Sequence, residues 1–259
     1  MTRVIGLLSF WDESPTWLAA TLASMARVCD HAVVLDGRYA LYPDQRLQSG
    51  SHEHYAVIDA ARASGMGITL HTAPHTYTDE MSKRTKLFQL GLCEAETHTD
   101  WFFILDGDEV LVECPPKQQV VDALDAYRED GVGVVSATLW EKADPHASPL
   151  RTETNMKLAT DWRYECTTPR FWLSHANMRV VGYHYNYVGE DELGTTVELW
   201  GHDSACVNRA KWASECGSVI IENRNRLRGI QRDKDRQQYY ADRDACEMET
   251  VKPLEEYDA

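Results

Sequence analysis

Asp106-Gly107-Asp108-Glu109 follows directly on the apolar run Trp101-Phe102-Phe103-Ile104-Leu105. Two carboxylates at i and i+2, straddling a Gly on a tight turn, can face one ligand. Hard divalent cations want oxygen ligands, and Mg²⁺ or Mn²⁺ usually binds one or two carboxylates together with substrate phosphates. A cation held there would neutralise a diphosphate and stabilise it as a leaving group. The plain alternative is a solvated turn whose Gly supplies an unusual dihedral. Position at the end of an apolar strand favours the chemistry. Asp12 and Asp36 also stand just beyond apolar runs, Val4 to Ser9 and His31 to Leu35.

The elements that position these acids alternate strand and helix. Strands are expected at Val4 to Ser9, His31 to Leu35, Ile68 to His71 and Trp101 to Leu105. Ser14-Pro15 opens a first helix, with a cap and a Pro at its first position. Further helices are expected from Gly50-Ser51 to Ala63 and from Asp79 to Glu96. Such repetition with unbroken apolar strands indicates parallel strands covered on both faces. Ligands of such sheets collect at the carboxyl ends of the strands. The loops bearing Asp12, Asp36 and Asp106/Asp108 are therefore expected on one rim.

Pro115-Pro116 opens one more helix, to about Arg128, and Val132 to Leu139 is another expected strand. Beyond Trp140 the pattern turns irregular and aromatic, with Trp162, Tyr164, Phe171, Trp172, Tyr183, Tyr185 and Tyr187 crowded together. Such rings build core and sheet, and two or three could line a cleft by stacking on a ligand's apolar faces. Arg224 to Arg236 forms a locally basic helix, a solvated face or a grip on phosphates. His52-Glu53-His54 resembles a metal pair, but rings at i and i+2 of a helix diverge.

The chain has 259 residues and a formal charge of −15. That length suits a single domain with a real core. A surface this acidic repels phosphate backbones at long range and argues against general nucleic-acid binding. No segment approaches the roughly 18 apolar residues of a membrane span. The N-terminus reads as a first strand rather than a signal peptide. The seven Cys are scattered, without a CxxC pair, as expected of free thiols in a reducing cytoplasm.

The block from Arg84 to Leu111, R-T-K-L-F-Q-L-G-L-C-E-A-E-T-H-T-D-W-F-F-I-L-D-G-D-E-V-L, resembles the family 2 glycosyltransferases of GT-A fold. It looks most like their lipopolysaccharide core β-glucosyltransferase branch. Ser9-Phe10-Trp11-Asp12-Glu13 and Cys29 to Gly37 match that family's first loop and its "D-e-i-v-v-v-D" strand. The likeness covers residues 3 to 112 and is thin beyond 140. It implies a Rossmann-like nucleotide-binding mixed sheet flanked by helices, with an irregular, aromatic-rich acceptor half. Within one domain, 1–112 would bind the nucleotide sugar, 113–221 the acceptor, and 222–259 would form a C-terminal helix and tail.

The resemblance also implies roles. Asp36 would bond the base, bordered by Ser9 and Trp11. Arg84 would approach base or diphosphate. Asp106 would contact ribose or metal, Gly107 would shape the turn, and Asp108 would ligate the metal, Mn²⁺ or Mg²⁺. His202, in Glu198-Leu199-Trp200-Gly201-His202-Asp203 before Lys211, would be a third ligand. An inverting transferase needs a carboxylate base. The family's "H-E" is absent at His184-Tyr185, which leaves Asp191 as first choice, then Glu190, with Asp161 and Glu165 as further options. The sequence departs from the family pattern at Asp12, Thr85 and Gly37-Arg38.

The expected activity is sugar transfer from a UDP- or GDP-sugar to an acceptor hydroxyl. The acceptor, whether protein, glycan, small molecule or modified DNA base, is open, as is the oligomeric state. The alternatives are a nucleotidyltransferase of similar fold and a non-catalytic sugar-binding module. The first would want a Gly-rich basic loop where Trp11-Asp12-Glu13-Ser14-Pro15 stands. The second has no need of metal-spaced carboxylates.

Overall fold

A computed structural model describes residues 2–38, 40, 46–142, 157–159, 163–181, 186–200, 209–211 and 217–223. β1 (Val4–Phe10), β2 (His31–Asp36), β3 (Gly67–Thr72) and β4 (Trp101–Asp106) are the four expected strands, β3 the least apolar of them. They pair in parallel in the order β3-β2-β1-β4. Alternate residues serve opposite faces, as the two-residue period of a strand requires. Val4, Leu8, Val34, Trp101, Phe103 and Leu105 join one apolar cluster. Ile5, Leu7, Val33, Leu35, Phe102 and Ile104 join the other.

Helices α1 (Pro15–Met25) and α2 (Ser51–Ala63) cover the first face through Leu18, Leu22, Met25, Val57 and Ala61. Helix α3 (Glu80–Leu92) covers the second through Leu87 and Phe88. Asp79 caps it, its carboxylate accepting from Ser82 N at 2.6 Å while Ser82 Oγ accepts from Asp79 N. The helix ends at Leu92 rather than at the expected Glu96, in tight turns closed by Glu94 N and Ala95 N on Gly91 O. Burying each large side chain contributes about 1.5–3 kcal/mol, so these stripes fix which way each helix faces.

The sheet is mixed rather than wholly parallel. β5 (Glu109–Glu113) follows β4 at once and was hidden in the sequence by that closeness. After α4 (Lys117–Glu129) come β6 (Val134–Lys142), β7 (Lys157–Ala159) and β8 (Arg163–Leu173). β8 runs antiparallel to both β4 and β6. β9 (Ala176–Val181), β10 (Asn186–Glu190) and β11 (Thr196–Trp200) form a separate antiparallel sheet. β12 (Arg209–Lys211) pairs with β6, and β13 (Ile220–Asn223) joins β6 to β5. Among the described residues ten strands make the large sheet, with the path β3-β2-β1-β4-β8-β6-β13-β5. It curls, because β5 at its far end lies back on α1. Thr21 Oγ1 donates to Glu109 O at 2.7 Å and Leu111 N to Ser24 Oγ at 3.1 Å. No helix among the described residues is long and apolar enough to cross a membrane.

Candidate functional site

The register of the parallel strands sets the acids abreast. Phe10 pairs with Asp36 on one side of β1, and Ser9 pairs with Asp106 on the other. Adjacent strands lie about 4.8 Å apart, so the ends of β2 and β4 flank the first loop at roughly 10 Å from each other. Asp106 keeps 39% of its side chain exposed and meets Arg84 Nη2 at 3.2 Å. Arg84 is braced from behind by Glu80, Nε to Oε1 at 2.9 Å. Asp108 is buried. A Cβ on Gly107 would stand 3.2 Å from Leu18 Cδ2, 3.3 Å from Glu13 Cγ and 3.4 Å from Phe10 Cβ. The turn is therefore pressed against the first loop, and Gly lets it approach.

Glu109, the last acid of the motif, faces inward. Its Oε2 accepts from Asp106 N at 2.9 Å and its Oε1 from Arg170 Nη2 at 2.6 Å. Burial pushes its carboxyl above the usual range, and Arg170 opposes that rise.

Asp36 is fully buried. Its oxygens accept from Ser49 N at 2.8 Å and Ser49 Oγ at 2.7 Å, and His54 Nε2 lies 2.7 Å away. Ser49 Oγ in turn accepts from Asp12 N at 2.7 Å. One carboxylate thus ties β2, the first loop and the start of α2 together. Asp36 thus bears on the rim through Ser49 and His54. Asp12 sits at φ 50°, a left-handed conformation that Asp tolerates better than most residues. Its carboxylate meets Arg46 at 2.8 Å, and that guanidinium lies 6.0 Å from the Trp11 ring. Ser9 and Trp11 do lie on the same rim.

Lys83 is 1% exposed beneath it. Its ammonium donates to Phe10 O at 2.7 Å. Burial pulls its pKa down to about 7, against the attraction of Asp36, Glu80 and Asp106.

The acceptor-side expectations fare differently. Asp191 and Glu190 do not join the rim. Glu190 pairs with Ala176, just past the end of β8, and Leu173 of β8 pairs with Trp101. They therefore lie at the amino end of β4, whereas Asp106 is at its carboxyl end. Asp191 Oδ1 is occupied locally, accepting from Leu193 N at 2.9 Å and Thr195 N at 2.8 Å in its own hairpin turn. The structure thus does not bring them together with Asp106 and Asp108. His202, Asp161, Trp162, Tyr183, Tyr185 and Arg224 to Arg236 lie outside the described residues. Phe171 and Trp172 are core, and the Tyr187 ring lies tilted against Trp172 with centroids 4.4 Å apart. Among the described residues no three His, Cys, Asp or Glu side chains are grouped to hold a metal ion. Cys29, Cys93 and Cys114 are free thiols.

The sequence did not single out Ser49, Lys83 or Arg170, and it offered His54 only as half of a metal pair with His52. Lys83 did carry a signal, as the neighbour of Arg84 on a helix that packs its Leu87 and Phe88 inward. Compared with models of known protein families and with curated proteins, the chain matches none.

Proposed function

We propose that the protein is a metal-dependent glycosyltransferase of GT-A type, moving a sugar from a UDP- or GDP-sugar to an acceptor hydroxyl. The observation that carries this reading is the register of β1 with β4. It seats Asp106-Gly107-Asp108 at the carboxyl end of a central parallel strand, the usual place for a ligand in such sheets. Asp106 and Asp108 would hold Mn²⁺ or Mg²⁺. Two carboxylates fit a cation whose remaining ligands are phosphate oxygens and water. Bound there, the ion supplies charge neutralisation for the departing nucleoside diphosphate.

The chain's own residues prepare that place. Arg84 keeps a guanidinium on Asp106, and its planar fork suits phosphate oxygens. Glu109 fixes the Asp106 amide. The Asp36–Ser49–His54 hub holds the first loop against the same rim. The acceptor base has no assignment among the described residues, since Asp191 and Glu190 lie at the wrong end of the strands.

The test is nucleotide release from a panel of UDP-, GDP- and TDP-sugars with Mn²⁺. Slow hydrolysis of one donor is expected, lost in EDTA and reduced by at least about 100-fold in Asp108→Ala, the scale of removing one electrostatic stabiliser. Hydrolysis that survives both would remove the acidic turn from the chemistry.

A further inference from the structure

Arg170 is a buried cation that no sequence motif announces. It sits at a break in the β6–β8 ladder. Val135 pairs with Phe171 and Ser136 with Pro169, so Arg170 is the extra residue of a β-bulge. Bulges re-aim side chains and are common beside active sites. On its other edge β8 pairs with β4 only from Leu173↔Trp101 to Phe171↔Phe103. Where that ladder stops, the Arg170 side chain takes over. Its Nη1 donates to Ile104 O at 3.3 Å and its Nη2 to Glu109 Oε1 at 2.6 Å. The second oxygen of Glu109 accepts from Asp106 N. A chain of contacts thus runs from the bulge to the backbone of the acidic turn.

Stability alone does not account for this arrangement. A buried ion pair often holds a fold no better than apolar residues of the same volume. Here both partners are at least nine-tenths buried, and Arg170 Nε has no hydrogen-bond partner among the described residues.

We propose that Arg170 is a positioning residue for the acidic turn, acting through Glu109 to fix the Asp106 backbone and so the separation of the Asp106 and Asp108 carboxylates. Glu109, although next to Asp108, is then a strap and not a metal ligand. The metal-binding part rests on the function proposed above; the backbone part does not.

The test measures amide exchange at Asp106 by NMR, and Mn²⁺ affinity by titration, in the wild type, Arg170→Gln and Arg170→Lys. In Arg170→Gln the Asp106 amide is expected to exchange at least about tenfold faster while Phe102 and Leu105 stay protected. Mn²⁺ should bind about 10–100-fold more weakly, the usual cost of removing a group that orients a metal ligand. Arg170→Lys keeps a cation but lacks the fork that reaches both Ile104 O and Glu109. It is expected to fold and to fall between the two, and it decides the matter should Arg170→Gln not fold. Asp106 exchange at the wild-type rate in the variants would overturn the proposal, as would faster exchange with unchanged Mn²⁺ affinity. A wild type that takes up no Mn²⁺ would overturn the functional reading instead, and the Asp106 amide alone would then decide the proposal.

Discussion

Lys83 shows how far a single residue can depart from its ordinary behaviour. Lysine is almost never fully buried; here it lies under the rim, its ammonium donating to Phe10 O and attracted by Asp36, Glu80 and Asp106. The sign of its linkage is definite. Its folded pKa, about 7, is below the ordinary 10.5, so between those values the unfolded chain holds the proton and the folded one does not. Stability contributed at this site therefore rises with pH, starting near 7, by at most about 1.4 kcal/mol per pH unit. Lys83→Met should flatten the stability profile between pH 7 and 9.5, as measured by urea unfolding at each pH. A variant that keeps the wild-type slope would show that the slope comes from elsewhere. The sequence places Lys83 beside the inward stripe of its helix, but not the depth of its burial, because that depends on what packs around it. Asp36 was readable as an acid at a strand end. Its use by Ser49 and His54 was not, since those partners arrive from 13 and 18 residues away.

At the scale of elements, the first half was readable because β1, β2 and β4 are apolar runs and the weaker β3 follows a helix signal as they lead one to expect. Their parallel neighbours follow from strand–helix repetition, and so the convergence of the acidic loops followed too. The second half was not. β8, β6, β13 and β5 lie side by side in an order that their sequence does not announce, and the antiparallel return of β8 decides where the small sheet hangs. That return carried Glu190 and Asp191 to the far end of the strands.

The link between β8 and β9 is Ser174-His175, and it has a testable consequence. The His175 ring meets His98 at 4.9 Å, edge to face, with Asp191 as the acid facing it from the end of β10. Burial, then His98, holds its pKa below the ordinary 6.5. The unfolded chain binds its proton first as pH falls, so this site loses stability below about pH 6.5. His175→Gln should lessen the drop in melting temperature between pH 7 and 5.5. An unchanged drop would place the acid sensitivity in other groups.

For the whole molecule, the charge of −15 bears on ligand choice. Asp12, Glu80, Asp106 and Asp108 stand on or under one rim; Arg46 meets Asp12, Arg84 meets Glu80 and Asp106, and Arg170 is spent on Glu109 beneath the turn. A nucleoside diphosphate approaching such a surface alone meets repulsion from the rim and from the wider field. On the proposed function, a divalent cation held at the acidic turn would offset that repulsion. Nucleotide binding should therefore be conditional on metal, which a sugar-binding module would not require. The most direct measurement is a calorimetric titration of UDP and of GDP into the protein with Mn²⁺, with EDTA, and with Mn²⁺ in Asp108→Ala. One nucleotide should bind with Mn²⁺ and at least about tenfold more weakly in the other two conditions. Equal affinity in all three, or no binding of either nucleotide in any, would contradict a metal-dependent donor site at Asp106 and Asp108.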